Sequence, residues 1–326
     1  MATTTHGPRG VSSVSSTARP PVGMIGLGIM GSAMAASLMR ARYRVIGYDV
    51  LAKRRREHRR AGGQVAATCR EAASRAGIVV CSLPSSEALL QTAVELAGLP
   101  RPPRIVIETS TLPIAVKEEA RRRLAVCGTS LLDCPLSGTG AQARAKDVVV
   151  YASGARAAYR RAVPVMEAFA RAHYYVGGFG SGSKMKFVAN LLVAIHNVAA
   201  AEALVLAMKA GLDPAMVLRA IGDGAGSSRM LQLRGPMMVR GDYSEAMMKL
   251  EVWQKDMTII ADFARQVGSP TPLFAATAPI YRSAIAMGHR DEDTAAVCAV
   301  LEQIANLQRR PGAGRARTRL EARGKK

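Results

Sequence analysis

Acidic and aromatic side chains are scarce in this sequence of 326 residues, which holds 24 aspartates and glutamates against 45 lysines and arginines and only 4% aromatic residues. The formal net charge of +21 favours anionic partners such as phosphorylated cofactors, carboxylate substrates or nucleic acids. The few aromatic residues do not interleave with the basic runs, so the stacking platform typical of single-strand binding is missing. A nucleic-acid partner is therefore not expected.

Cysteines are few as well, and the five that are present are scattered without a CxxC pair. An odd count with this spacing argues against a disulfide framework and against a zinc site. We therefore expect a reducing compartment, the cytoplasm, and no bound metal.

No uninterrupted apolar run approaches the roughly 20 residues that a membrane span requires, so no membrane association is predicted.

The two ends of the chain differ in composition from the rest. Residues 1–21 are rich in Ser, Thr, Gly and Pro, lack acidic residues and predict a disordered tail, with a mitochondrial address as the alternative. Residues 309–326 carry eight basic residues against one acidic residue and predict a solvated, disordered basic tail. The 49% hydrophobic content of the chain allows a sizeable core between them.

The hydrophobic pattern divides this middle part in two. Strand-like and helical segments alternate in residues 22–182, which predicts βαβ units and a mainly parallel, Rossmann-type sheet. Residues 183–210 contain neither Gly nor Pro and predict one long helix that ends at Gly211. The predicted fold class is α/β, with a Rossmann-type dinucleotide-binding domain at 22–182 and an all-α domain at 183–308. Strands are predicted at 22–26, 44–48, 78–82, 104–108, 131–134 and 148–152, and further helices at 214–221, 249–266, 274–287 and 293–308.

A glycine-rich turn follows the first predicted strand. Gly26, Gly28 and Gly31 form a GxGxxG pattern, which in this strand–turn–helix context indicates a dinucleotide site rather than a plain turn. The first glycine permits the tight turn, the second lets the backbone approach a pyrophosphate, and the third lets helix and strand pack closely. The cofactor-binding residues expected in this segment are Gly26, Leu27, Gly28, Ile29, Met30 and Gly31.

The residue type at the end of the second strand bears on the choice of cofactor. Asp49 lies where an acidic side chain binds the adenosine ribose hydroxyls and repels a 2′-phosphate, which favours NAD. The basic block of residues 53–60 argues the other way, because Arg54 or Arg55 could meet that phosphate. NAD is the predicted cofactor, and NADP is the alternative.

Several motifs occur together in an order that resembles the β-hydroxyacid dehydrogenases, the group of 3-hydroxyisobutyrate dehydrogenase, tartronate semialdehyde reductase and the related 6-phosphogluconate enzymes. The resemblance runs from about Val22 to Gln308. Besides the glycine-rich turn, it rests on Leu83-Pro84, Ser110-Thr111, Asp-Cys-Pro-Leu-Ser-Gly (133–138), Gly-Ser-Gly-Ser-Lys-Met-Lys-Phe-Val-Ala-Asn (180–190) and Lys255-Asp256.

This resemblance implies that Lys186 is the catalytic lysine and that Asn190 helps to hold the substrate. The spacing agrees, because residues four apart lie on one helix face. The positive end of the helix dipole and burial beside a nicotinamide would both favour the neutral amine that acid–base catalysis needs. By spacing alone, Lys184 is an equal candidate.

The resemblance also assigns the remaining site residues. Ser137, Gly138 and Thr139 match the loop that receives the substrate carboxylate, although Thr139 and Lys146 stand where the family usually has glycine. The further cofactor contacts that it implies are Leu83, Pro84, Thr111 and Lys255.

Together these features predict an NAD(P)-dependent oxidoreductase that transfers a hydride between its cofactor and a small β-hydroxy acid or its semialdehyde. The nearly all-round apolar surface of the long helix suggests a homodimer or homotetramer. The alternative is a non-catalytic dinucleotide-binding sensor or scaffold whose basic tail docks on an acidic partner.

Overall fold

The computed structural model describes residues 19–309. The predictions for the tails at 1–21 and 309–326 therefore fall almost entirely outside the described residues. Arg309 is described, and its guanidinium binds the carboxylate of Glu302 and the backbone carbonyls of Met238 and Val239.

A six-stranded parallel sheet forms the centre of the first part of the chain. Its strands are β1 (Val22–Ile25), β2 (Val45–Tyr48), β3 (Gln64–Val65), β4 (Ile78–Cys81), β5 (Ile105–Glu108) and β6 (Ser130–Asp133). They follow the order β3-β2-β1-β4-β5-β6, and every neighbouring pair is parallel. The order reverses between β1 and β4, and ligands of such sheets bind in the crevice outside the carboxyl ends of the strands at this switch point.

Helices cover both faces of this sheet, which explains why its strands are almost continuously apolar. The helices are α1 (Ile29–Arg40), α2 (Ala52–Arg60), α3 (Cys69–Ser74), α4 (Ser86–Ala97) and α5 (Ile114–Ala125). Val80 packs in the core under α1, whereas its neighbours Val79 and Cys81 pack in the core under α3, α4 and α5. The alternation of side chains along a strand produces these two layers.

A second, three-stranded sheet was not predicted. It consists of β7 (Leu136–Ser137), β8 (Val149–Ala152) and β9 (Ala172–Tyr175), connected by α6 (Gly140–Arg144) and α7 (Arg156–Phe169). The strand predicted at 148–152 therefore lies in this sheet rather than in the first. β7 pairs antiparallel with β8, which in turn pairs parallel with β9.

The second part of the chain is helical, so the predicted fold class is confirmed. Its helices are α8 (Ser181–Lys209), α9 (Pro214–Gly222), α10 (Arg229–Arg240), α11 (Leu250–Gln266), α12 (Pro272–Ala284) and α13 (Val297–Ile304). A π-helical segment, Ile285–His289, continues α12, and a 3-10 turn, Thr294–Ala296, precedes α13. The helix α10, which contains Pro236, was missed by the sequence pattern.

The helix α8 is long and apolar. Its most apolar window of 18 residues has a mean hydropathy of 1.9, so by length and composition alone it could cross a membrane. An average over a window tolerates polar side chains such as Asn197. Asn197 is buried and donates a hydrogen bond to the hydroxyl of Tyr281. α8 is the central helix of the helical part, packed against α9, α10, α11, α12 and α13.

Candidate active site

The glycine-rich turn connects β1 to α1 at the switch point of the sheet. Gly26 has φ +87°, and a Cβ there would lie 2.1 Å from the carbonyl oxygen of Ser82. A Cβ on Gly31 would lie 1.9 Å from the carbonyl oxygen of Gly26. Among the residues that the structure describes, no side chain caps the first turn of α1. The turn therefore fits a dinucleotide, because uncapped N–H groups at a helix start bind phosphate.

Asp49 is buried at the end of β2 and holds this turn in place. Its Oδ2 accepts a hydrogen bond from the Leu27 N–H at 2.8 Å, and its Oδ1 accepts one from the Leu51 N–H at 2.9 Å. The guanidinium of Arg54 lies 3.2 Å from Oδ2 and 3.5 Å from the place of a Cβ on Gly28. An acidic and a basic side chain thus lie together beside the second glycine of the turn.

The loops after β4 and β5 carry three of the remaining four residues expected at the cofactor, and α11 carries the fourth. The N–H of Leu83, which precedes Pro84, donates to Ser110 Oγ at 2.8 Å. The carbonyl oxygen of Thr111 accepts a hydrogen bond from Lys255 Nζ at 2.7 Å. Lys255 therefore joins α11 to the β5–α5 loop, and its contact with a cofactor stays a prediction.

Behind these loops lies a buried ionic cluster that the sequence did not reveal. Lys117 Nζ is 2.6 Å from Glu108 Oε2 and 2.8 Å from Asp133 Oδ1, and all three side chains are 0% exposed. Burial alone lowers the pKa of Lys117, but the two carboxylates outweigh it, so the net pKa is raised above its ordinary value. Lys117 also donates to the carbonyl oxygen of Ser110 at 2.6 Å. The ammonium group is therefore charged and fixes the end of β5 to α5.

The same cluster fixes the start of α8. Asp133 accepts hydrogen bonds from both the N–H and the hydroxyl of Ser183, each at 2.8 Å. The N–H of Gly182 donates to Ser153 Oγ at 2.9 Å, and a Cβ at Gly182 would lie only 2.4 Å from the carbonyl oxygen of Tyr151. A carboxylate at a helix N-terminus is favourable for the helix dipole. The first turn of α8 is thereby docked tightly on the carboxyl edge of the sheet.

This docking places Lys186 and Asn190 inside the protein. Lys186 is 9% exposed, whereas Lys184 is exposed to solvent. Burial lowers the pKa of Lys186, and the nearby carboxylate of Asp256 opposes that shift. Asn190 Nδ2 donates to Asp256 Oδ2 at 2.9 Å, and burial raises the pKa of Asp256. Spacing alone made Lys184 and Lys186 equal candidates for the catalytic lysine, and only Lys186 is buried.

The five residues expected to act on the substrate line one cavity of about 420 Å³. Those residues are Ser137, Gly138, Thr139, Lys186 and Asn190. The opposite wall comes from helical residues that the sequence did not indicate, among them Met230, Arg234 and Trp253. Trp253 lies in a predicted helix, but the helical pattern does not say which face meets the cavity. Met230 and Arg234 lie in α10, which the sequence pattern missed.

Comparison with known proteins decides the family. A family model for the NAD binding domain of 6-phosphogluconate dehydrogenase matches residues 21–177, and one for the NAD-binding of NADP-dependent 3-hydroxyisobutyrate dehydrogenase matches residues 180–301. The chain is 35% identical to L-threonate dehydrogenase of Cupriavidus necator, over 87% of this chain and 96% of that protein. The chain belongs to the β-hydroxyacid dehydrogenase family. It is an NAD(P)-dependent dehydrogenase of the class that acts on a CH–OH group, as the sequence predicted.

The chain is also similar to other dehydrogenases over most of their length. Mitochondrial 3-hydroxyisobutyrate dehydrogenase of Mus musculus is 27% identical over 90% of both chains. The crystal structure of 3-hydroxyisobutyrate dehydrogenase from Salmonella typhimurium is 31% identical with a TM-score of 0.78, over 86% of this chain and all of that chain (100%). The Mycobacterium tuberculosis enzyme crystallised with L-serine is 27% identical with a TM-score of 0.79, over 86% and 99% of the two chains.

The buried cluster yields a prediction for stability. Lys117→Met leaves Glu108 and Asp133 without the cation that they share, and breaking a buried ion pair in this way costs about 3–5 kcal/mol. We expect the free energy of unfolding, measured by urea denaturation, to fall by that amount. The control is Arg122→Met on the same helix, which removes an exposed ion pair with Glu119 and should lower the free energy of unfolding far less, because solvent screens exposed pairs. Equal small losses would show that the cluster does not hold these elements together.

Proposed function

We propose that this dehydrogenase interconverts a small β-hydroxy acid and its semialdehyde, with Lys186 as the general acid and base. The observation that carries the proposal is the burial of the Lys186 amine in the cavity that also contains the Ser137–Gly138 loop. A lysine whose pKa is lowered by burial can exchange a proton closer to neutral pH than an exposed lysine can. Relatives named for L-threonate and 3-hydroxyisobutyrate support a hydroxy acid as substrate.

The proposed chemistry needs one proton transfer from the protein. A bound nicotinamide supplies the acceptor or donor of the hydride. In oxidation, the neutral amine of Lys186 accepts the proton of the substrate hydroxyl while the C–H bond of the same carbon breaks. In reduction, the ammonium form of Lys186 returns that proton to the carbonyl oxygen. The amine and the ammonium forms must both be accessible, which the opposing effects of burial and Asp256 on the pKa allow.

Asn190 and the Ser137–Thr139 loop position the substrate in this proposal. Asp256 holds the amide nitrogen of Asn190, so the amide oxygen can accept a hydrogen bond from a substrate hydroxyl. Ser137 and the N–H of Gly138 receive the carboxylate. The hydroxyl of Thr139 is engaged in a capping box with Gln142 at the start of α6, so we assign Thr139 to holding the loop.

Replacement of Lys186 tests the proposal directly. Lys186→Met keeps an unbranched side chain but removes the titratable amine, so kcat should fall at least about a hundredfold. Cofactor affinity, measured by titration with NAD or NADP, should change little. The matched control is Lys184→Met, two residues away and exposed, which should retain normal turnover. Near-normal turnover of Lys186→Met would show that another group moves the proton.

The pH dependence of the reaction provides an independent check. The lowered pKa of Lys186 means that its free amine is present at lower pH than for a lysine with the ordinary value of 10.5. In oxidation, kcat/KM should therefore rise with pH and level off below that value, and in reduction kcat/KM should fall through the same range. Asp256→Asn removes the carboxylate that raises the pKa of Lys186, so both limbs should move to lower pH. A profile that Asp256→Asn leaves in place would contradict the assignment.

We further propose that NAD is preferred over NADP, because Asp49 stands at the end of the second strand, where an acidic side chain binds the adenosine ribose hydroxyls and would repel a 2′-phosphate. Asp49→Ser should raise the ratio of kcat/KM with NADP to kcat/KM with NAD by about tenfold or more. Arg54→Gln should lower that ratio, because Arg54 is the cation beside Asp49. The ratio is the quantity to measure, because loss of the hydrogen bond from Leu27 would weaken both cofactors. An unchanged ratio in Asp49→Ser would exclude Asp49 as the discriminating residue.

We propose that the enzyme forms a homo-oligomer through the exposed face of α8. The exposed apolar residues of this face are Met185, Val188, Leu192 and Leu206. Residues 185, 192 and 206 are separated by multiples of seven, which is the repeat of helices that pair along an apolar stripe. The double variant Leu192→Glu/Leu206→Glu should sediment as a monomer. Val126→Glu, which replaces an apolar residue after α5 that is more exposed than these, should leave the assembly intact. A monomeric wild-type protein would refute this proposal.

A further inference from the structure

Basic side chains dominate the charged lining of the active-site cavity. Lys186, Arg171, Arg229 and Arg234 line it, against a single carboxylate, that of Asp147. In the proposed function, the Ser137–Gly138 loop holds a first carboxylate through a hydroxyl and a backbone N–H. The arginines are then left for a second anionic group, which their positive charge favours.

Arg234 is the buried member of this set. Its Nε donates to Asp293 Oδ1 at 2.9 Å, and its Nη1 lies against the sulfur of Met230 at 3.0 Å. Asp293 also accepts hydrogen bonds from the N–H groups of Met247 and Ala295, which fixes the ion pair in the wall. Within residues 19–309, Arg234 Nη2 has no hydrogen-bond partner. A buried guanidinium with an unused donor is suited to an oxyanion, which can accept two parallel N–H bonds.

Arg229 and Arg171 lie at the exposed rim of the same cavity. Arg171 Nε is 2.7 Å from Asp147 Oδ1, and Arg229 Nη2 is 4.0 Å from Asp147 Oδ2. Arg229 belongs to the first turn of α10, whereas Asp147 and Arg171 precede β8 and β9. The helical part and the second sheet therefore both contribute cations to the rim, and Asp147 competes with a ligand for them.

We propose that the cavity accepts a substrate with two anionic groups, and that Arg171, Arg229 and Arg234 form a second oxyanion subsite beside the Ser137–Gly138 loop. The inference rests on the proposed function in one respect, because that loop takes the first carboxylate. The second group is a carboxylate or a phosphate, whose shared feature is a cluster of negatively charged oxygens. The hydroxyl that reacts at Lys186 lies between the two anionic groups in such a substrate.

Binding of unreactive analogues tests the subsite without turnover. Butyrate, succinate and 3-phosphonopropionate are similar in length and carry one carboxylate, two carboxylates, and a carboxylate with a phosphonate. They are titrated into the NAD-loaded enzyme by calorimetry. The single tryptophan of the sequence, Trp253, lines the cavity, so its fluorescence reports binding at this place. We expect at least one of the two dianions to bind about tenfold more tightly than butyrate, and the tighter of them identifies the second group.

Three variants separate a subsite from the general attraction of a basic protein. Arg229→Gln should weaken the preferred dianion about tenfold and leave butyrate almost unchanged. Asp147→Asn should strengthen dianion binding, because it frees the two rim arginines. Arg240→Gln, on the exposed last turn of the same helix, is the control and should have little effect.

Equal affinities for the three ligands would overturn the inference, and so would equal effects of Arg229→Gln and Arg240→Gln. Equal weakening of butyrate and the dianions in Arg229→Gln would also overturn it, because the arginine would then serve the first carboxylate. These outcomes are independent of the proposed catalytic role, which Lys186→Met tests through turnover alone. Selective dianion binding with an active Lys186→Met enzyme would retain the subsite and refute the catalytic proposal.

Discussion

Lys117, Glu108 and Asp133 bring two negative charges and one positive charge into a region that excludes water. Removing such ions from water costs several kcal/mol per ion, and their mutual attraction compensates only when further hydrogen bonds satisfy the remaining oxygens. Here those bonds come from Ser110 and from the first turn of α8, where Ser183 donates twice to Asp133. The cluster is therefore complete only when α8 has docked on the sheet. This requirement couples the helical part to the α/β part and fixes the start of the helix that carries Lys186.

The cavity follows from this docking. One wall belongs to the second sheet and its Ser137–Gly138 loop, and the other belongs to α8, α10 and α11. Lys186 lies between them, and Asp256 on α11 meets both Asn190 and Lys255. Because neither part of the chain forms the cavity alone, the environment that lowers the pKa of Lys186 exists only in the assembled fold. A site that closes between two parts of a chain excludes water. Electrostatic interactions inside it are stronger, because the local dielectric constant is lower than that of water.

Local patterns predicted the elements that are long or chemically distinctive. The apolar strands, the glycine-rich turn with Asp49 and the long helix could be recognised because each depends on residues close in sequence. Lys186 needed the family resemblance as well, since spacing alone left Lys184 equally eligible. The helix α10 was missed because it contains Gly235 and Pro236, which usually interrupt helices. The structure gives a packing reason for that glycine, since a Cβ there would lie 2.5 Å from a methyl group of Leu218.

Sequence patterns could not predict the buried cluster or the arginine-lined wall of the cavity, for a different reason. Lys117 stands in a run of charged residues that is typical of an exposed helix face, and its burial depends on carboxylates from β5 and β6. Arg234 likewise reaches the cavity because Asp293, 59 positions later in the chain, holds its guanidinium. Such ion pairs between distant segments are properties of the tertiary structure, so no local composition or periodicity reveals them.

The hydrogen bond between Asp49 and Leu27 has a consequence for the energetics of cofactor binding. Because the carboxylate already holds the backbone of the glycine-rich turn, the loss of conformational entropy that accompanies its ordering occurs during folding and not during association. A dinucleotide that binds at this turn would therefore meet a rigid surface, and little of the interaction energy would be diverted into shaping it. We expect cofactor affinity to depend on the contact between Asp49 and Leu27, which lies within the protein itself.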